Sequence, residues 1–236
     1  MAISELQLPP GVRACTHDAA GPMAQALAVR VADALREAIA VRGQATLVVS
    51  GGRSPVSFFE ALAQQDLPWA QVRVSLADER WVPVNHASSN EALVRRHLLR
   101  GAASEAKFLG LYRVAGSLEQ AAELADAAFA ELPPIDVLVL GMGDDGHTAS
   151  LFPGSANLAH ALREDCPERC VATQAPVAPE ARLTMTYPLL ACARMQCLAI
   201  QGSEKLETLR VALSADPLQM PIRAFLHAPL EIYWCP

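Results

Sequence analysis

Two rhythms of apolar and polar positions run along this chain, and the changes between them mark its elements. Between residues 18 and 42 apolar side chains recur at helical spacing, as in Met23, Leu27, Val31, Leu35 and Ile39, which predicts an amphipathic helix. Asp18 suits its N-cap and Gly43 its stop. The short run ATLVV follows, is broken by SGGRSP, and leads into VSFFEALAQ: strand, tight turn, helix.

That order recurs. VRVSLADER (72–80) reads as one strand ending in charged residues, SSNEALVRRHLL (88–99) as a capped helix and LEQAAELADAAFAEL (118–132) as another helix. IDVLVL (135–140) reads as a strand, as do CVATQA, ARLTMTY and MQCLAIQG; SEKLETLRVAL is helical and LEIYWC closes as a strand. Strands alternating with helices predict an α/β fold: a single Rossmann-like domain over residues 1–236, with a mostly parallel sheet flanked by helices on both faces. Continuous apolar strands such as DVLVLGM fit burial on both faces. In such sheets ligands bind at the carboxyl ends of the strands. SGGRSP, ADER, GMGDDGH and QGSEK each follow a predicted strand, so four polar loops are expected along one edge.

Composition narrows the partners. The 236 residues, 52% hydrophobic and 19% charged, suit one compact folded domain and not a disordered chain. A net charge of −6 with 19 scattered Lys and Arg argues against a nucleic-acid partner. The start, MAISELQLPPGVRAC, lacks the basic opening and apolar core of a signal peptide, and no run reaches about 18 uninterrupted apolar residues. A cytoplasmic chain without membrane contact is therefore expected. The six cysteines include only one close pair, in CPERC, which fits reduced thiols and not a zinc tetrahedron.

The polar loops carry the candidate chemistry. In SGGRSP, backbone N–H groups at Gly51 and Gly52 can approach an anion closely, with a helix N-terminus behind them; a plain strand-to-helix corner would look the same. Pro55 suits the first helical turn, and the loop carries neither the P-loop nor the dinucleotide glycine pattern. Asp78 and Arg80, two apart on a strand, face the same side and could bind sugar hydroxyls and an anion together, while the plain reading of Glu79 and Arg80 is a solvated ion pair. His147 is of the residue type whose ordinary pKa lies near neutrality, which suits a general base, and either Asp144 or Asp145 is close enough to orient it. His17, His86, His97, His160 and His227 read as surface or packing residues, and no spacing draws them together on a metal. Lys205 opens a helix, where a cation opposes the helix dipole; that placement points to an anionic ligand, with Arg182 as a further cation. Ser50, Ser54 and Ser150 lie outside any G-x-S-x-G elbow, so a serine nucleophile is not expected.

In order and spacing, SGGRSP, DERWVPVNHASSN, GMGDDGHTASLFPG, PEARLT and QGSEK resemble the 6-phosphogluconolactonases, hydrolases of the oxidative pentose phosphate pathway, from about residue 18 to 235. The sister glucosamine-6-phosphate deaminases and isomerases are similar in the early motifs but carry a segment like GHIAFNEPG after the histidine. Here GHTASLFPG puts Phe152 where their proton-shuttling glutamate stands, which favours the lactonase over the deaminase or a non-catalytic sugar-phosphate sensor. The resemblance implies 6-phospho-D-glucono-1,5-lactone as the small-molecule partner, with no metal and no organic cofactor. It implies catalytic roles for His147, Asp145 and Asp78, and substrate binding by Gly51, Gly52, Arg53, Ser54, Arg80, Arg182 and Lys205. The expected state is a monomer or weak homo-oligomer.

Overall fold

The helical rhythm of the N-terminal quarter becomes α1, Ala20–Arg42, which buries Met23, Leu27, Val31 and Leu35 on one side. It ends at Gly43, whose φ of 76° lets its N–H return to the Ile39 carbonyl. Its start differs from expectation: extended Ala19 holds the N-cap position without a side-chain cap, leaving Asp18 one residue too early to reach the free N–H groups. The computed structural model describes residues 3–236. In chain order its elements are β1 (Val12–Thr16), α1, β2 (Ala45–Val49), α2 (Val56–Ala63), β3 (Val72–Leu76), β4 (Asp78–Arg80), α3 (Asn90–His97) and β5 (Lys107–Leu109). There follow α4 (Leu118–Phe129), β6 (Val137–Leu140), α5 (Leu158–Ala161), β7 (Cys170–Gln174), β8 (Ala181–Met185), α6 (Tyr187–Ala191), β9 (Met195–Gln201), α7 (Ser203–Ala212) and β10 (Leu230–Cys235).

Seven strands form one parallel sheet in the order β1-β10-β9-β6-β2-β3-β5. Every residue of β2 and β6 is buried, and since successive side chains alternate faces, both faces of the sheet are covered at its centre. From β2 the chain builds outward through β3 to β5, then returns to the other side of β2 to lay down β6, β9 and β10. The order therefore reverses between β2 and β6, where the loops after two adjacent parallel strands part and open a crevice. The Rossmann-like α/β architecture read from the sequence is the one observed.

Residues 72–80 are two strands and not one. β3 ends at Leu76, and Ala77 is the pivot: its N–H donates to the Val49 carbonyl of β2 at 2.9 Å, while its carbonyl accepts from the Met185 N–H of β8 at 2.8 Å. β4 thus leaves the main sheet for a three-stranded antiparallel one, β4-β8-β7. The predicted strands in CVATQA and ARLTMTY belong to this small sheet, and Tyr187 opens α6 instead of prolonging β8. Leu76 of the large sheet and Leu183 and Met185 of the small one lie in the same hydrophobic cluster, so the two sheets share a core. Among the described residues no helix is long and apolar enough to cross a membrane.

Candidate active site

The crevice between β2 and β6 is floored by the SGGRSP turn. The Ser50 N–H donates to Val139 of β6 at 2.9 Å, which ties the turn to the switch point. Gly51 lies so near Asn90 that a Cβ there would stand 2.0 Å from Asn90 Oδ1, so only glycine fits. Asn90 in turn donates to the Asp78 carbonyl at 2.9 Å, locking the turn, α3 and β4 together. Among the described residues the buried Ser50 hydroxyl has no hydrogen-bond partner, and it sits in the crevice wall.

The three residues of β4 divide the labour. Glu79 is fully buried and is no solvated partner of Arg80: its carboxylate accepts the backbone N–H groups of Arg80, Asn90 and Glu91, each at 2.7 Å, and the Ser89 hydroxyl at 3.1 Å. Glu79 therefore satisfies the free N–H groups at the start of α3, while Ser89 caps the Ala92 N–H. Burial pushes the Glu79 carboxyl above its usual range, against the pull of those N–H groups. Asp78 and Arg80 both point to the crevice, as alternation requires. Asp78 accepts from the Ser150 hydroxyl at 2.6 Å, which also commits Ser150 to a structural bond.

Arg80 of β4 stands opposite Arg182 of β8 in the antiparallel register. Like charges placed so are unfavourable. Arg80 donates to the Ser88 carbonyl at 2.6 Å and keeps a buried, unpartnered Nε; Arg182 donates to the Pro179 carbonyl at 2.7 Å. Among the described residues neither guanidinium has a carboxylate within ion-pair distance. Burial and then the charge of Arg80 hold the Arg182 pKa below the ordinary arginine value, with Asp78 and Glu79 partly offsetting both. Two cations without an ion-pair partner at a crevice suit an anion.

The loop after β6 presents the histidine. The Gly143 N–H donates to the His147 carbonyl at 2.8 Å, closing a tight turn that passes through Gly146 at φ 76°. The ring of His147 folds back over Gly143, where a Cβ would lie 2.1 Å from Nδ1. His147 Nδ1 meets Asp145 Oδ1 at 2.6 Å, and the same oxygen accepts the His147 N–H at 3.0 Å. Burial alone would raise the Asp145 carboxyl, but the imidazole and backbone bonds hold it below the usual range. An ionised Asp145 is acceptor-only, so the proton in this contact sits on Nδ1, and it is the neutral ring that offers Nε2 as an acceptor. Asp144 faces away and pairs with Lys205 Nζ at 2.7 Å, so the two adjacent aspartates serve different partners and the cation at the start of α7 meets a protein anion. Phe152 packs against His147 with the rings tilted by 45° and their centroids 4.6 Å apart, and the Arg182 guanidinium lies 5.7 Å from the Phe152 ring.

These parts enclose a cavity of about 220 Å³. Gly51, Gly52 and Ser54 line it from the β2 turn, Asp78, Arg80 and Arg182 from the small sheet, His147 from the motif loop and Lys205 from α7. All four predicted loops meet there. Arg53 does not: it is exposed and absent from the wall. Asn90 was missed from the sequence and Ser50 was weighed there only as a nucleophile, though both adjoin motif residues and Asn90 closes the segment DERWVPVNHASSN.

A crevice at the switch point of a parallel α/β sheet, with two arginines lacking ion-pair partners on one wall and, on the other, a histidine held from behind by Asp145, defines a Rossmann-like enzyme for a small anionic substrate. A sequence profile described as glucosamine-6-phosphate isomerases/6-phosphogluconolactonase matches residues 18–234. The chain belongs to this family, on its lactonase branch. It is 59% identical to a 6-phosphogluconolactonase of Pseudomonas aeruginosa over the whole of both chains, and 58% identical to one of Pseudomonas putida over all of this chain and 98% of the relative. The crystal structure of a 6-phosphogluconolactonase from Shewanella baltica superposes with a TM-score of 0.93 at 40% identity, covering 97% of this chain and all of the other.

Proposed function

We propose that this chain hydrolyses 6-phospho-D-glucono-1,5-lactone to 6-phospho-D-gluconate, with His147 as general base. The observation that carries the reading is the 2.6 Å bond from His147 Nδ1 to Asp145, which commits one ring nitrogen and leaves Nε2 to take a proton in the cavity. Water attacks the C1 carbonyl as Nε2 removes its proton. A tetrahedral oxyanion forms, the bond from C1 to the ring oxygen breaks, and the imidazolium returns the proton to that oxygen. Asp145 keeps the imidazole in the productive tautomer and offsets the charge it gains.

Arg80 and Arg182, which have no ion-pair partner among the described residues, are assigned to the phosphate with the N–H groups of the Gly51–Gly52 turn; Lys205 is already paired with Asp144. Asp78, held by Ser150, is assigned to substrate hydroxyls. Holding the remote phosphate fixes C1 against Nε2, which is how binding energy away from the reacting bond lowers the barrier. With Phe152 against His147, the position offers no second proton carrier for ring opening, so no ammonia is expected from glucosamine 6-phosphate. Six unpaired cysteines support a reducing, cytoplasmic setting, and a single domain acting as a monomer or weak homo-oligomer completes the reading.

The test measures lactone hydrolysis above the spontaneous background for His147→Asn and Arg182→Met. His147→Asn is expected to lower kcat by about 10²- to 10⁴-fold. Arg182→Met is expected to raise KM for the phosphorylated lactone while barely affecting the unphosphorylated one. A folded His147→Asn variant with near-normal turnover would end the general-base assignment.

A further inference from the structure

Away from the cavity, the segment between α5 and β7 folds back on itself. The Arg163 N–H reaches the His160 carbonyl at 3.2 Å and the Cys166 N–H reaches the Arg163 carbonyl at 3.2 Å, which bring the Cys166 thiol to His160 Nε2. At the far end the Thr186 hydroxyl donates to the Glu168 carbonyl at 2.7 Å and pins that residue against the start of α6. Three ligand-type atoms converge: His160 Nε2 to Glu168 Oε2 is 2.7 Å, Cys166 Sγ to His160 Nε2 is 3.5 Å and Cys166 Sγ to Glu168 Oε2 is 3.3 Å.

We propose that His160, Cys166 and Glu168 form a binding site for a thiophilic divalent cation of the zinc class. Tetrahedral zinc, with bonds of about 2.3 Å to sulfur and about 2.0–2.1 Å to nitrogen or oxygen, sets its ligands about 3.5 Å apart for sulfur–nitrogen and sulfur–oxygen pairs and about 3.3 Å for nitrogen–oxygen. Both sulfur distances are already there. Only the imidazole–carboxylate contact must open, by roughly 0.6 Å against that tetrahedral spacing. Its side chains are 41% and 43% exposed, so each is free to turn about the buried Cys166. Thiolate, imidazole and carboxylate together suit zinc better than magnesium or calcium. Arg163, the nearest cation in the loop, is turned aside by two 2.8 Å bonds to Asp165.

The rival reading, a cysteine nucleophile with a histidine relay, meets two objections. In such a relay the carboxylate holds the ring nitrogen opposite the thiol, whereas here both approach Nε2. Burial and the Glu168 hydrogen bond also push the Cys166 thiol up to about 11, away from a reactive thiolate. On binding, the cation replaces the thiol proton, which passes to solvent, and water fills the fourth position. The bound ion ties α5 to the approach of β7, in the stretch that follows Phe152.

The experiment titrates the reduced, chelator-stripped full chain with Co(II), then displaces it with Zn(II). One equivalent of Co(II) should give tetrahedral d–d bands and a thiolate-to-cobalt charge-transfer band, lost on adding zinc, and zinc should raise Tm. Cys166→Ser should abolish the charge-transfer band, and His160→Gln, at a half-exposed position that spares the fold, should weaken binding at least tenfold. Cys192→Ser, at an exposed cysteine outside the cluster, should leave both intact. A wild-type chain without the band, a band that survives Cys166→Ser, or an affinity left unchanged by His160→Gln overturns the site.

Discussion

Glu79 in β4 and Asp145 in the β6 loop sit in similar acidic motifs that each come just after a strand of the large sheet, and each accepts backbone N–H, yet the fold surrounds them oppositely. Glu79 is fully buried, its partners are three main-chain N–H groups and a serine hydroxyl, and its carboxyl is pushed up. Asp145 is partly exposed, its partner is an imidazole, and its carboxyl is pulled down. A carboxylate bonded to the backbone organises structure; one bonded to a titratable ring is the group assigned to proton transfer in the function proposed above. The partner, more than the residue or its motif, decides the role.

This contrast breaks or holds on three measurements. Asp145→Asn should lower kcat by about 10²- to 10⁴-fold, as expected when a general base loses its orienting group, with little change in the urea midpoint. A large midpoint shift with kcat intact would erase the distinction. Glu79→Ala should cost about 3 kcal/mol of stability, because removing one acceptor strands several buried donors at about 1–3 kcal/mol each before any rearrangement. Urea unfolding with an unchanged slope reads this directly, and a midpoint near wild type would show that water replaces the carboxylate.

The smallest effect is in the pH dependence, where the two should have opposite signs. Glu79 lies above its usual 4.5, so the folded chain holds that proton more tightly; its contribution is complete below about pH 4.5 and is lost as pH rises through the folded value. Asp145 lies below its usual 3.8, so its contribution is complete above about pH 3.8 and is lost as pH falls through the folded value. Stability of the wild type relative to Glu79→Gln should therefore decline with rising pH, and relative to Asp145→Asn it should climb. Two curves of the same sign would contradict the assigned environments.

How much of this was legible in the sequence depended on what each signal encodes. β2, β6 and β9 announced themselves as apolar runs because a central parallel strand is buried on both faces. β1, with burial confined to partial contacts, and the three-residue β5 lie at the two edges of the sheet, where one face or one neighbour is missing and the pattern fades. The break at Ala77 left no local mark, since alanine suits either strand and the division is made by Val49 and Met185, distant in sequence. His147 was legible from its glycine turn, and Asp145 only through the family resemblance: nothing local distinguishes it from Asp144 until Lys205 is seen to claim the latter. The grouping of His160, Cys166 and Glu168 follows no paired-cysteine spacing and arises from a loop reversal.

Ala77 bonds to both sheets at once, so the distance between the glycine turn and the arginine wall is fixed by pairing register and not by side-chain bulk. Register changes only in whole residues. A slip of one would exchange Glu79 for Asp78 and Arg80 at the crevice, and a slip of two would carry them about 7 Å along the strand. The cleft therefore has discrete settings, and a family member that accepts a longer or shorter phosphosugar would have to reach it by rebuilding a loop, because this wall cannot be adjusted by degrees.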